Sequence, residues 1–166
     1  MKVVIIMGSK ADLDWAKRIA SGLEEFGLQS ALRVASAHKA PLKCLEIIQE
    51  YEQEGAVFIT VAGRSNALSG LADAQTVFPV IACPPYGDRF GGADVFSSLR
   101  MPSGVAPLVV LEPENAALAV AKIIGLAEPE IRKKVAAFQE RARQKIAEDD
   151  ADLQKERDKE NKNKPD

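Results

Sequence analysis

The chain has 166 residues, is 46% hydrophobic and carries a formal net charge of −2. That length suits one domain with its own core, and the charge leaves no basic footprint for a nucleic acid. No apolar run approaches the ~20 residues that a bilayer span requires, and one histidine with two scattered cysteines, Cys44 and Cys83, matches no metal-ligand spacing.

Apolar runs alternate with helix-like segments. Val3-Val4-Ile5-Ile6-Met7 follows a single lysine. It is too short for the apolar core of a signal peptide, so Lys2–Met7 reads as a buried strand. Residues 11–26 carry Leu13, Ala16, Ile19, Ala20 and Leu23 at helical spacing, and Gly27 closes that helix. Ser30–Val34 is the second strand. Residues 42–54 form the second helix, with Pro41 before them and Gly55 after. Ala56–Val61 is an unbroken β-favouring run, residues 66–75 a short helix, and 80–83 a fourth strand stopped by Pro84-Pro85. A fifth strand at 108–111 and an alanine-rich helix at 115–126 follow.

Such alternation predicts an α/β fold: a three-layer αβα sandwich, flavodoxin- or Rossmann-like, on a parallel five-stranded sheet. Residues 1–126 make this domain. Residues 127–147 add a C-terminal helix with Ile131, Val135, Phe138 and Ile146 as sparse anchors, marginal unless it packs on something. Residues 148–166 are almost wholly charged and read as a disordered or fraying tail.

Ligands of parallel sheets bind beyond the carboxyl ends of the strands. Three loops should meet there: Gly8-Ser9, Ser36-Ala37-His38-Lys39 and Gly63-Arg64-Ser65-Asn66. His38 is the chain's one imidazole, the group that takes and gives a proton near neutrality. A surface loop histidine is the plain alternative. Gly8-Ser9 opens a helix, where backbone N–H groups attract anions. Asp12 either stabilises that helix start or accepts bonds from a ribose diol. Lys39 offers charge to a phosphate, and Arg64 a planar donor fork to a carboxylate. Small residues from Val61 to Gly70 let backbone amides approach a ligand. The loops Cys83-Pro84-Pro85 and Ser97-Ser98-Leu99-Arg100-Met101-Pro102-Ser103-Gly104 are expected on the same side; their length favours function over simple connection.

Met7-Gly8-Ser9-Lys10-Ala11-Asp12, Ser36-Ala37-His38-Lys39, Ala62-Gly63-Arg64-Ser65-Asn66 and Met101-Pro102-Ser103-Gly104 together resemble the signature loops of the PurE family of purine biosynthesis, from about Lys2 to Leu126. The family has two classes. Class I mutases shift a carboxyl group from the exocyclic nitrogen of N-carboxyaminoimidazole ribonucleotide to the ring and carry a second histidine in the third loop. Here that loop reads Gly63-Arg64-Ser65-Asn66-Ala67-Leu68, without one. It is similar instead to class II, the aminoimidazole ribonucleotide carboxylases, which use carbon dioxide directly. Ala11 departs from the serine of many relatives and leaves more of the phosphate to Ser9, Ser36 and Lys39.

The resemblance implies reversible carboxylation of 5-aminoimidazole ribonucleotide by carbon dioxide, without ATP, biotin or metal, and no cofactor is expected. It implies His38 as the catalytic proton carrier. Ser9, Ser36 and Lys39 would hold the phosphate, with Gly8 permitting its close approach, and Asp12 the ribose; Ala37 would also bind substrate. Gly63, Arg64 and Ser65 would orient the carboxyl group or carbon dioxide, and Leu68 would also bind substrate. A cytoplasmic homo-octamer or homotetramer is expected, without nucleic-acid or membrane partners. Two rivals stand: the class I mutase, and a non-enzymatic flavodoxin-like or receiver-like binding module. A receiver would want clustered acids at the strand ends, and this chain has almost none there.

Overall fold

Two apolar runs set the centre of the molecule. In β1 (Lys2–Met7) every residue after Lys2 is buried, and in β3 (Ala56–Val61) all six are. A strand buried on both faces needs helices above and below it. The computed structural model, which describes residues 1–87 and 91–162, supplies them. β2 (Ser30–Val34), β4 (Val80–Ala82) and β5 (Leu108–Val109) complete a five-stranded sheet in the order β2-β1-β3-β4-β5, parallel throughout. This is the αβα architecture expected from the sequence.

Alternation along each strand divides the core in two. Val3, Ile5 and Met7 join Val57, Ile59 and Val61 under α1 (Leu13–Glu25), α5 (Pro113–Gly125) and the start of α6 (Pro129–Lys162). Val4, Ile6, Ala56 and Phe58 point the other way, onto Cys44, Ile47 and Ile48 of α2 (Pro41–Glu52) and Leu68 and Ala72 of α3 (Ala67–Asp73). Burying one such aliphatic side chain contributes about 1.5–3 kcal/mol. The α1–α5 contact depends on small residues: a Cβ at Gly22 would lie 2.9 Å from that of Ala117.

Register makes the functional edge. Met7 pairs with both Val34 and Val61, so the loops after β1, β2 and β3 start level with one another. The chain leaves β1 toward β2 on one side and reaches β3 on the other, which opens a crevice between the β1 and β3 loops.

Most differences from the expected elements are at their ends. β4 stops at Ala82 and β5 at Val109, two short strands whose ladder closes with the Val110 N–H donating to the Ala82 carbonyl at 3.0 Å. Ser97 and Ser98, read from sequence as loop, lie in a short helix, α4 (Phe96–Leu99). The larger difference is α6. Residues 148–162, read as a disordered or fraying tail, continue the helix to Lys162; residues 163–166 of that tail lie outside the described residues. Composition alone misses the spacing of the charges. Lys145 pairs with Asp149 at 2.7 Å and Lys155 with Asp152 at 2.9 Å, pairs that favour helix by a few tenths of a kcal/mol each.

Candidate active site

One cleft of about 820 Å³ opens at the crevice, and all eleven site residues chosen from the sequence line it: Gly8, Ser9, Asp12, Ser36, Ala37, His38, Lys39, Gly63, Arg64, Ser65 and Leu68. Each strand end supplies one group. Gly8 leaves β1 with its N–H donating to the Val61 carbonyl at 2.8 Å. Ser9 caps the 3₁₀ turn Lys10–Asp12, its Oγ accepting from the Ala11 N–H at 3.2 Å. After β2, the Ser36 carbonyl accepts from Ala40 N–H at 2.8 Å and its Oγ from Lys39 N–H at 3.3 Å. That turn holds His38 and Lys39 out into the opening, where both are exposed.

The loop after β3 is more constrained. Arg64 has φ of +60°, a left-handed conformation unusual for a residue with a side chain. A Cβ at Gly63 would come within 2.6 Å of the Pro85 carbonyl oxygen, so the β4 loop can lie against this turn only over a glycine. Asn66 then caps α3, accepting from the Ser69 N–H at 3.2 Å. Leu68, buried in the first turn of α3, gives the cleft an apolar patch.

Asp12 sits opposite this loop. Desolvation raises its pKa above the ordinary 3.8, while a backbone hydrogen bond from Ser9 and the charge of Arg64 pull it down. A carboxylate held there beside a guanidinium can accept hydrogen bonds from a polyol. Among the described residues no group of His, Cys, Asp and Glu is placed to hold a metal ion.

Three cleft residues escape the sequence reading. Tyr86 and Gly87 follow the Pro84-Pro85 pair, and Asp94 lies on a 3₁₀ turn before α4. Tyr86 donates to Glu112 and meets Trp15 edge-on, with ring centroids 6.0 Å apart. The Trp15 indole N–H donates to the Cys83 carbonyl at 3.2 Å, and Arg18 covers that indole at 5.0 Å. Burial beneath this group pushes the Cys83 thiol up to about 12, which leaves it a hydrophobe at neutral pH. The Pro84-Pro85 pair was the local signal for this wall; the partners 26 and 71 residues away had none. Met101-Pro102-Ser103-Gly104, expected beside the other loops, does not line the cleft.

The match to the AIR carboxylase family, the carboxylases of aminoimidazole ribonucleotide, covers residues 2–145. The chain belongs to the AIR carboxylase family. It is an enzyme, a carboxy-lyase of purine biosynthesis. A phosphoribosylaminoimidazole carboxylase of Archaeoglobus fulgidus is 65% identical over 153 residues, 92% of this chain and 85% of that one. The crystal structure of PurE from Treponema denticola matches with a TM-score of 0.88 at 49% identity, covering 91% of this chain and 97% of that one. A bifunctional phosphoribosylaminoimidazole carboxylase/phosphoribosylaminoimidazole succinocarboxamide synthetase of Homo sapiens is 44% identical over 138 residues, 82% of this chain but 32% of its own length. AIR carboxylase chemistry needs a nucleotide and carbon dioxide held together, and the cleft presents charge, small backbone turns and an imidazole at one opening.

Proposed function

We propose that this AIR carboxylase works as a class II enzyme, adding carbon dioxide to the ring carbon of 5-aminoimidazole ribonucleotide to give 4-carboxy-5-aminoimidazole ribonucleotide. The observation that carries the reading is the third loop, Gly63-Arg64-Ser65-Asn66, whose first three residues border the cleft, and His38 is the chain's one histidine. Similarity to the bifunctional carboxylase of Homo sapiens over 82% of this chain supports it.

The substrate is an enamine-like nucleophile. Its amino nitrogen pushes an electron pair through the ring, and the ring carbon bonds to carbon dioxide, whose C=O π electrons move onto oxygen. The adduct holds a hydrogen and a carboxylate on one tetrahedral carbon. His38 accepts that proton, the C–H electrons return to the ring and aromaticity is restored. The reverse sequence decarboxylates. Positioned proton transfer contributes on the order of 10²–10⁴-fold, and confinement of two reactants adds to it. In this reading Gly8, Ser9, Ser36, Ala37 and Lys39 surround the phosphate, Asp12 the ribose, and Gly63, Arg64, Ser65 and Leu68 the carboxyl group.

The same reading makes the enzyme a cytoplasmic homo-oligomer, an octamer or otherwise a tetramer. Leu42, Phe96 and Leu99 are exposed large hydrophobes near the cleft loops in sequence and would favour association. Light scattering of a monomer at micromolar concentration would contradict this. The class is tested by supplying aminoimidazole ribonucleotide with bicarbonate, and separately N-carboxyaminoimidazole ribonucleotide with carbon dioxide scavenged, following ring carboxylation by absorbance. Turnover with the first and negligible turnover with the second is the expected result. Efficient use of the N-carboxy compound would return the chain to the class I mutase.

A further inference from the structure

Arg64 is held in a conformation that its own side chain disfavours. Such a backbone persists only where its surroundings over-determine it. The surroundings here come from α4, which the family motifs leave out. The Ser97 Oγ lies 3.1 Å from the Arg64 carbonyl oxygen and 2.8 Å from that of Asp94, and shares its one proton between them. The same oxygen accepts from the Asn66 N–H at 3.0 Å. One hydroxyl therefore ties the carbonyl before Ser65 to the amide after it. Next to it the buried Asn66 side chain donates to the buried Ser98 Oγ at 2.9 Å, which anchors the strap to the same short helix. On the far side, Pro85 closes on Gly63.

We propose that Ser97 is a positioning residue for carboxylation: by fastening both ends of the Arg64–Asn66 turn, it keeps Arg64 left-handed and in place on the cleft wall. The inference rests on the reading of Arg64 as the group that orients carbon dioxide. Ser97 does not touch substrate. Its influence passes through the backbone of Arg64 and is felt at the carbon dioxide site rather than at the nucleotide phosphate.

The test is a double-mutant cycle with Arg64→Ala and Ser97→Ala, read as kcat and half-saturation for dissolved carbon dioxide and for aminoimidazole ribonucleotide, with Tm measured alongside. Ser97→Ala should raise the carbon dioxide half-saturation roughly five- to tenfold, the scale set by losing one hydrogen bond on a strained turn. The nucleotide half-saturation should change less than about twofold, and Ser97→Thr, which keeps the hydroxyl, should restore most of the loss. In the Arg64→Ala background, removing Ser97 should then cost little further kcat/KM, because contacting residues that act as one unit are not additive. A Tm loss of equal size in both backgrounds, with equal loss of kcat/KM in both, would show a scaffold residue and overturn the proposal. A crystal structure of Ser97→Ala decides independently of activity: Arg64 leaving the left-handed region supports the clamp, and Arg64 unmoved refutes it. If the wild-type enzyme fails to carboxylate aminoimidazole ribonucleotide, the functional reading falls, while the crystal structure still decides the clamp.

Discussion

At the carboxyl edge of the sheet, His38, Lys39 and Arg64 line the cleft without a side-chain ion pair among the described residues. Along α6, Lys133, Arg143, Lys145 and Lys155 each pair with an acid three or four residues away. The first arrangement leaves Lys39 and Arg64 facing the cleft without a salt-bridge partner among the described residues. The second consumes its cations in local pairs that hold a mostly exposed helix together. The contacts differ in reach as well. The cleft is braced by bonds between residues 31 to 33 apart in the chain, whereas the far part of α6 is braced by its own turns.

Substitutions in the two regions should therefore have unlike consequences. The largest belongs to His38→Asn, which keeps size and a donor but cannot carry a proton. We expect carboxylation to fall by on the order of 10²–10⁴-fold with aminoimidazole ribonucleotide still bound in a calorimeter; near-normal turnover would remove the imidazole from the reaction. Lys39→Ala should come next. It should weaken nucleotide binding about tenfold, the loss of one charge-assisted contact, and change kcat less, so a kcat defect with unaltered binding would contradict the phosphate assignment.

Asp12→Asn sharpens the contrast through pH. A carboxyl whose folded pKa is raised adds stability that is fully present below 3.8 and is lost as pH rises through the folded value. The Asp12→Asn protein, free of ligand, should thus melt like wild type in acid and slightly above it at neutral pH. Parallel melting curves at all pH values would show that the cleft does not strain this carboxylate. The smallest effect is predicted for removing residues 148–166. Turnover should stay within about twofold and the Tm of the core should barely move, because exposed i,i+3 and i,i+4 pairs contribute only tenths of a kcal/mol. A large loss of activity would show that the helix end serves the cleft.

The sheet and the cleft were legible in short stretches of sequence. β1 and β3 announced themselves as continuous apolar runs, and parallel pairing then obliged the residues after them to share an edge. That is why Gly8, His38 and Arg64, far apart in the chain, could be assigned to one opening. Tyr86, Asp94 and the Ser97 strap were not legible, since their roles depend on partners tens of residues away that no local period marks. The end of α6 was misread for a different reason. A count of charged residues reports solubility, while helix stability follows the order in which opposite charges recur, as Lys145 with Asp149 illustrates.

Trp15 is the chain's single tryptophan. It touches Tyr86, a residue of the cleft wall, while Arg18 lies on its ring. The protein's long-wavelength emission therefore comes from one indole packed behind the Tyr86 wall of the cleft. A nucleotide that moves the Tyr86 wall should alter that emission in intensity or colour, so the enzyme carries its own optical probe of occupancy, usable in stopped-flow mixing without any added label.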